Sequence, residues 1–203
     1  MIIIPKDVPP RELYQHMVSC ITPRPIAWVS SLSKKGIPNL APYSFFNGIG
    51  VNPPTLLFSS VNKRDGRKKD TVINIENTKE FVVNVATFKQ AEKMNQSSAE
   101  YDADTSEFDS CDIEICPGNK VKAPWVKDSP VHMECSLYKI IHIGEGPLAA
   151  NLVIGNILSI HISDDILKDN NTIDPKKLDS IGRLGGSSYS RTTEIFDLDR
   201  PTK

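Results

Sequence analysis

The chain has 203 residues, of which 39% are hydrophobic and 24% are charged, a composition typical of one globular domain with a substantial core. Lys and Arg number 24 against 25 Asp and Glu, so no excess charge indicates a nucleic acid or an anionic membrane as partner. No apolar run could span a bilayer, and the apolar start at residues 1–4 is too short for a secretion signal. We therefore expect a soluble, cytoplasmic, single-domain protein over residues 1–203.

The chain predicts a mainly β fold. Its 15 prolines disrupt helix interiors but are tolerated in loops and at strand entries, and most of its apolar runs are short. Residues 26–31 and 37–43 flank a polar turn that contains Gly36, a pattern that predicts a hairpin. Further predicted strands share apolar and β-branched residues and cover residues 55–61, 81–85, 131–141 and 152–162.

Helices are expected to be fewer and to interrupt the strands. The predicted helical segments are residues 10–17, 71–77, 88–101 and 174–178, the last opened by a capping Asp174 and by Pro175. Many strands at short intervals with helical insertions are typical of a closed or partly closed barrel.

The four cysteines, Cys20, Cys111, Cys116 and Cys135, lie at wide and irregular intervals. No Cys-x-x-Cys pair and no zinc spacing with His occurs, so we predict reduced thiols and no metal site. Nucleotide loops, nucleophile elbows and metalloprotease motifs are also absent from the sequence. This does not exclude an enzyme, because a bound cofactor can carry the chemistry.

Two segments carry ambiguous signals. Residues 67–69 place three cations before Asp70 and Thr71, which open a predicted helix, and such a helix start would suit a phosphate. The spacing alone favours a solvated basic turn capped by Asp70. Residues 41–46 combine small, hydroxyl and aromatic side chains, which suit either a flat ring close to the backbone or a packed core with a turn.

The same residues, in this order, resemble the flavin reductase-like family of FMN-binding split-barrel proteins, which includes flavoredoxins and the reductase components of two-component monooxygenases. The resemblance is nearly full length. The matching segments are residues 22–26 (TPRPI), 39–46 (NLAPYSFF), 52–54, 69–75, 81–84, 129–130, 134–135, 155–157 with His161, and 183–186 with Tyr189.

The resemblance implies a six-stranded Greek-key split barrel with helical insertions, and a homodimer that holds FMN near the subunit interface. The residues that it places around FMN are Arg24, Pro25 and Ile26 at its border, Ala41, Pro42, Tyr43, Ser44 and Phe45 along the ring and ribityl chain, and Arg67, Lys69, Asp70 and Thr71 around the phosphate. Ser59 and Ser60 either donate hydrogen bonds to the flavin or only end a strand.

The resemblance also implies that His161 approaches the nicotinamide or the flavin, and that Arg183 and Tyr189 fold back towards the ring. A packed or surface role for His161 and a buried packing role for Cys135 remain open.

The implied activity is that of an oxidoreductase in which NAD(P)H reduces bound FMN, which then passes electrons to a flavin or to a monooxygenase partner. The alternatives are a flavoredoxin-type protein reduced by a ferredoxin-like donor, and a flavin-binding protein without turnover. A pyridoxamine-phosphate-oxidase-like enzyme shares the barrel, but the patterns at residues 22–26 and 39–42 argue against it.

Overall fold

The computed structural model describes residues 1–202. Its strands are β1 (Arg24–Pro25), β2 (Ala27–Leu32), β3 (Pro38–Tyr43), β4 (Phe46–Val51), β5 (Pro54–Val61), β6 (Glu80–Val85), β7 (Ile115–Cys116), β8 (Trp125–Val126), β9 (Val131–Ile143), β10 (Ala150–Ile162), β11 (Ile181–Arg183) and β12 (Tyr189–Arg191). Its α-helices are α1 (Pro10–Cys20), α2 (Asp70–Thr78), α3 (Ala91–Gln96), α4 (Glu107–Ser110) and α5 (Pro175–Leu178), and 3-10 turns lie at Pro5–Asp7, Phe88–Gln90 and Asp164–Ile166. Within residues 1–202, no helix is both long and apolar enough to cross a membrane.

The main sheet has seven antiparallel strands in the order β3-β2-β6-β9-β10-β5-β4. β3 continues through Ser44 and Phe45 into β4, and the Ser59 amide donates to the Phe45 carbonyl over 2.8 Å. The first and last strands of the sheet are therefore joined by two residues, and the sheet closes on itself. This confirms the predicted mainly β barrel. The main sheet has one strand more than the six expected, and this strand is β4, for which the sequence analysis predicted no element.

The predicted hairpin forms as β2 and β3, with Leu32 opposite Pro38. One predicted helix is shorter than expected, because residues 88–101 contain only a 3-10 turn and α3. The hydroxyls of Ser97 and Ser98 donate to the carbonyls of Met94 and Asn95, a local alternative that competes with helix continuation. After α3 the chain is therefore an irregular segment that packs on the barrel.

β2 is buried on both faces, which explains its apolar run. Ala27 and Val29 point into the barrel interior beside Phe58 and Phe81, while Trp28 points outwards against α3 and α4. The indole N–H of Trp28 donates to the Ser97 hydroxyl over 2.9 Å, so the outer layer is attached to the barrel at this point.

Glu134 on β9 fixes the segment of residues 119–125 on the outside of the barrel. Its carboxylate, buried completely, accepts hydrogen bonds from the amides of Asn119 and Lys120, both at 2.6 Å, and from Trp125 Nε1 at 2.8 Å. Ser159 on the adjacent β10 donates over 2.9 Å. Burial by itself would raise the pKa of Glu134, but these hydrogen bonds outweigh it and leave the pKa below its ordinary value.

Glu134→Gln is expected to lower the free energy of unfolding by about 2–3 kcal/mol, because the amide NH₂ would face N–H donors in place of a charged acceptor. Denaturant unfolding at pH 7 measures the change. Since the pKa of Glu134 is lowered in the folded state, its contribution is present above the unfolded pKa and is lost as pH falls through the folded pKa. The variant should therefore lose less stability than the native chain on acidification.

Glu114→Gln is the matched control, because Glu114 is an exposed acid paired with Lys127 and should change stability by less than about 0.5 kcal/mol. Equal effects of the two substitutions would contradict the role assigned to Glu134.

Candidate functional site

α2 begins at Asp70, directly after an extended Lys69, and its first turn carries backbone N–H groups that have no partner inside the helix. Two neighbouring lysines are already paired, Lys63 with Asp70 at 3.1 Å and Lys68 with Glu76. Within the described chain Lys69 has no carboxylate partner, and burial lowers its pKa. Its ammonium lies 5.7 Å from the centre of the Tyr43 ring. A half-buried cation without a counter-ion beside a helix start is a place for an anion.

Tyr43 adds a second unsatisfied group at the same place. Its ring packs on Phe58 inside the barrel, with ring centres 4.8 Å apart. Its hydroxyl is buried and makes no well-formed hydrogen bond among residues 1–202, although the Thr71 and Ser60 hydroxyls lie close to it; burial outweighs their effect and raises the pKa of Tyr43 to about 12. A neutral phenol at neutral pH can donate to an anion. Tyr43 and Lys69 both line a cavity of about 50 Å³.

Thr71 lies at this cavity but uses its hydroxyl inside the protein. The Thr71 O–H donates to Asn39 Oδ1 over 2.6 Å, and the residue is 1% exposed. The backbone at the start of α2, rather than the Thr71 hydroxyl, is therefore the donor available to an anion here.

A second cavity, of about 150 Å³, lies between β3 and α3. Its lining residues are Ile26, Pro42, Ser44, Met94, Asn95, Ser98, Arg183 and Tyr189. Ser98 also lines the cavity at Lys69, so the two are neighbours along β3, and we call them together the β3 cleft. Ala41 lines the cleft at the Lys69 end.

The C-terminal hairpin β11–β12 covers one end of the β3 cleft. The Tyr189 hydroxyl donates to Asn95 Oδ1 over 3.1 Å, and the Arg183 guanidinium lies 4.4 Å from the centre of the Tyr189 ring. The structure thus brings Tyr189 and Arg183 next to Ile26, Pro42 and Ser44.

Arg24 does not line the β3 cleft; its guanidinium is buried behind Ser44, which is one of the lining residues. The residue is 4% exposed, and its guanidinium donates to the carbonyls of Val18, Ile21 and Leu184, the last two at 2.6 and 3.0 Å. Its Nε atom donates to the Ser44 hydroxyl over 3.3 Å. Arg24 therefore positions Ser44, which does line the cleft.

Other predicted site residues lie away from the lining of the β3 cleft. The Arg67 guanidinium is exposed and pairs with Asp65 at 2.6 Å, Pro25 is exposed, and Phe45 packs edge-on against Tyr14. Ser59 is joined to Phe45 through its backbone amide. Asp70 lines the cleft but is paired with Lys63, and the Ser60 hydroxyl is buried.

His161 lies in a different and larger cavity of about 630 Å³. Its ring centre is 4.2 Å from that of Trp125, which also stacks on His132 at 4.9 Å. The His161 Nε2 atom is buried and has no hydrogen-bond partner within residues 1–202. In one chain, therefore, His161 and Tyr189 do not share a cavity.

The sequence analysis did not find Asn95, Ser98, Glu107 or Trp125. Asn95 and Glu107 come from the short helices α3 and α4, Ser98 from the irregular segment after α3, and Trp125 from the two-residue strand β8, none of which carries a periodic or motif signal. Cys135 is buried in the barrel interior, and burial raises the pKa of its thiol to about 12. The thiol is therefore protonated at neutral pH, which favours packing over redox chemistry.

A closed antiparallel barrel with an anion-suited helix start at one end of a cleft defines the class of flavin-binding split-barrel proteins. The profile of the flavin reductase like domain matches residues 18–178, and the chain belongs to this family. An uncharacterised protein of Aquifex aeolicus is 38% identical over 93% of this chain and 94% of its own length.

Solved structures agree with this assignment. Nitrilotriacetate monooxygenase component B from Bacillus cereus superposes with a TM-score of 0.92 at 31% identity, covering 98% of both chains. The 2-nitrobenzoate 2-nitroreductase NbaA of Pseudomonas fluorescens gives 0.87 at 30% identity, covering 100% of this chain and 97% of its own. A split-barrel protein of Shewanella frigidimarina, at 23% identity and a TM-score of 0.83 over 97% of this chain and 96% of its own, supports the fold alone. The split-barrel prediction is thereby confirmed.

Lys69→Met is expected to weaken the binding of a phosphate-bearing flavin such as FMN by about tenfold to a hundredfold, because an anion at the start of α2 would lose one charge-assisted hydrogen bond. Riboflavin, which has no phosphate, should lose less than about threefold. Calorimetric titration of both ligands measures the two changes. Lys68→Met is the control, because Lys68 is paired with Glu76; an equal loss of FMN affinity in both variants would contradict the assignment of Lys69.

Proposed function

We propose that this protein binds FMN in the β3 cleft and is an NAD(P)H-dependent oxidoreductase. The observation that carries the proposal is the start of α2, where the half-buried Lys69 ammonium forms no ion pair within the described residues and the buried Tyr43 hydroxyl lies in the same cavity lining. The FMN phosphate would be held there by Lys69, Tyr43 and the first N–H groups of α2.

The other end of the β3 cleft suits a flat ring. Ile26 and Pro42 offer apolar surface, Ser44 and Asn95 offer polar atoms, and Tyr189 covers the opening. Flavins accept a hydride and release electrons singly or in pairs, so the chemistry is supplied by the cofactor. The protein's part is to bind the ring, to orient it through Ser44 and its support Arg24, and to restrict the entry of water through the β11–β12 hairpin.

We assign the cavity at His161 to the electron donor, NADH or NADPH. The Trp125 indole offers a flat surface for a nicotinamide, and the unpartnered His161 Nε2 can bond to its carboxamide. Hydride transfer needs close contact of the two rings, at about 3–3.5 Å. Since His161 does not reach the β3 cleft of its own chain, the proposal requires that a second protomer bring its His161 to this cleft.

The electron acceptor is either a diffusible flavin or a protein. Similarity to a monooxygenase component B supports a monooxygenase partner. A flavoredoxin-type role, in which a ferredoxin-like protein reduces the bound FMN, is the competing proposal.

Anaerobic mixing of the FMN-loaded protein with NADH or NADPH is expected to bleach the flavin absorbance. His161→Ala should raise the KM for the donor by roughly tenfold with little change in kcat, the effect of one lost hydrogen bond. His142→Ala is the control, because His142 pairs with Asn151 at the far end of the β9–β10 pair from His161, which pairs with His132. Failure of both nucleotides, with rapid reduction by a reduced ferredoxin, would replace this proposal by the flavoredoxin-type one.

We further propose a homodimer formed through the part of β10 that extends past β5. β10 continues six residues past its last pairing with β5, which joins Asn156 to Thr55. Leu158, Ile160 and Ile162 on this extension alternate along one face and are 48%, 54% and 39% exposed. Contiguous exposed apolar surface of this kind is typical of an interface between protein chains.

Ile160→Glu is expected to convert the dimer into a monomer, because it places a charge within an apolar contact. Sedimentation velocity measures the change. Ile115→Glu on β7 is the control, since Ile115 is 41% exposed but lies away from this face. A native chain that sediments as a monomer at micromolar concentration would contradict the proposed dimer.

A further inference from the structure

The end of the β3 cleft beside Tyr189, which we call the ring end, has a different charge from the Lys69 end. Among the described residues that line the ring end, Arg183 is the one that carries a charge. The Lys69 end is lined by charges of both signs, namely Lys63, Lys69, Asp70, Glu100 and Glu107. The ring end therefore carries a positive charge that no carboxylate in its own lining offsets.

Contacts with uncharged groups hold the Arg183 guanidinium in place. It lies 4.4 Å from the centre of the Tyr189 ring and donates to the Gly186 carbonyl over 2.5 Å. The Tyr189 hydroxyl in turn donates to Asn95 on α3. An aromatic face and a carbonyl fix the position of the guanidinium but leave its net charge in place.

Arg24 adds a second positive charge behind Ser44. Its hydrogen bonds go to backbone carbonyls and to the Ser44 hydroxyl, all of them neutral. In the described chain, the arginines that form ion pairs are Arg67 and Arg191. Burial lowers the pKa of Arg24; the charge of Arg183 also lowers it, and Tyr14 acts in the opposite direction. The two guanidinium groups are thus close enough for their charges to act on the same ligand.

A positive charge at this end distinguishes between the redox states of a flavin ring. A hydride brings two electrons and one proton, so the neutral ring that accepts it gains one negative charge, and the donor leaves as NAD⁺ or NADP⁺. A nearby fixed cation therefore favours the reduced ring over the oxidised ring. The flavin phosphate has the same charge in both states, so the Lys69 end contributes little to this difference.

We propose that Arg183 raises the reduction potential of the bound flavin by stabilising the negative charge that the ring gains on reduction. This role rests on the proposed function, since it needs the ring of FMN to lie at the ring end. Arg24 contributes to the same field, but it also supports Ser44. Arg183 is therefore the residue through which the effect of charge can be tested by itself.

The test measures the midpoint potential of FMN bound to the full chain, by an anaerobic spectroscopic titration, together with the dissociation constant of oxidised FMN. Arg183→Met should weaken the binding of reduced FMN about tenfold more than that of oxidised FMN, the effect of one nearby charge. For a two-electron couple this corresponds to a potential lower by about 30 mV. Arg183→Lys keeps the charge and should retain most of the native potential.

Arg191→Met is the matched control. Arg191 lies on the same β11–β12 hairpin, but its guanidinium is paired with Asp179 at 2.6 Å and is not among the residues that line the β3 cleft. This variant removes an arginine from the hairpin without removing charge from the ring end, so the potential should stay at the native value.

Asn95→Asp keeps the test decisive if Arg183→Met does not fold. The new carboxylate can accept from the Tyr189 hydroxyl as the amide oxygen does, and it adds a negative charge to the ring end. It should weaken the binding of reduced FMN relative to oxidised FMN by about threefold, less than Arg183→Met, because Asn95 is exposed and its charge is screened.

The outcomes separate this inference from the function on which it rests. A purely structural role of Arg183 would weaken oxidised and reduced FMN by the same factor and leave the potential unchanged, which would overturn the inference while the flavin site stands. A fall in potential of equal size in Arg183→Lys would also overturn it, because the charge is still present. Failure of the native chain to bind FMN would overturn the proposed function, and the inference with it.

Discussion

The structure depends on the burial of β2 from both sides. One face of this strand completes the barrel interior, and the other, through Trp28, fixes the layer of α3 and α4 on the outside. The bond from Trp28 to Ser97 places the turn after α3 beside the neighbouring strand β3. The β3 cleft is the gap that remains at this border, so its position follows from the packing of the barrel rather than from a separate binding module.

A half-buried lysine without an ion pair distinguishes the β3 cleft from the basic turn before α2. Lys63, Lys68 and Arg67 each lie against a carboxylate and are locally neutralised, whereas Lys69 is drawn over the Tyr43 ring and lacks a carboxylate partner in the described chain. Burial of an uncompensated cation costs free energy, which an anionic ligand can recover. The three consecutive cations Arg67, Lys68 and Lys69 thus differ in their contacts because their surroundings differ.

The main strands and the start of α2 could be predicted because they depend on local signals. β-Branched runs, the turn at Gly36 and the helix start at Asp70 each lie within a few residues of sequence. Ser98 and Glu107, which line the cleft opposite β3, could not be predicted. They lie in the irregular segment after α3 and at the start of α4, and meet β3 only through tertiary packing. Arg67 shows the same limit, because only the folded turn pairs it with Asp65. The cavity in which His161 lies depends on where the pairing of β5 with β10 ends, and the apolar pattern of residues 152–162 does not encode that point.

Arg24 couples the two ends of the described chain to each other. Its guanidinium connects the end of α1, at Val18 and Ile21, to Leu184, which precedes Tyr189 at the β3 cleft. Most of α1 and all of the β11–β12 hairpin lie outside the region that matches the family profile, residues 18–178. One buried side chain thus joins the barrel to two pieces that flank the matched region. Loss of the Arg24 guanidinium would therefore release both pieces together from the barrel wall beside Ser44.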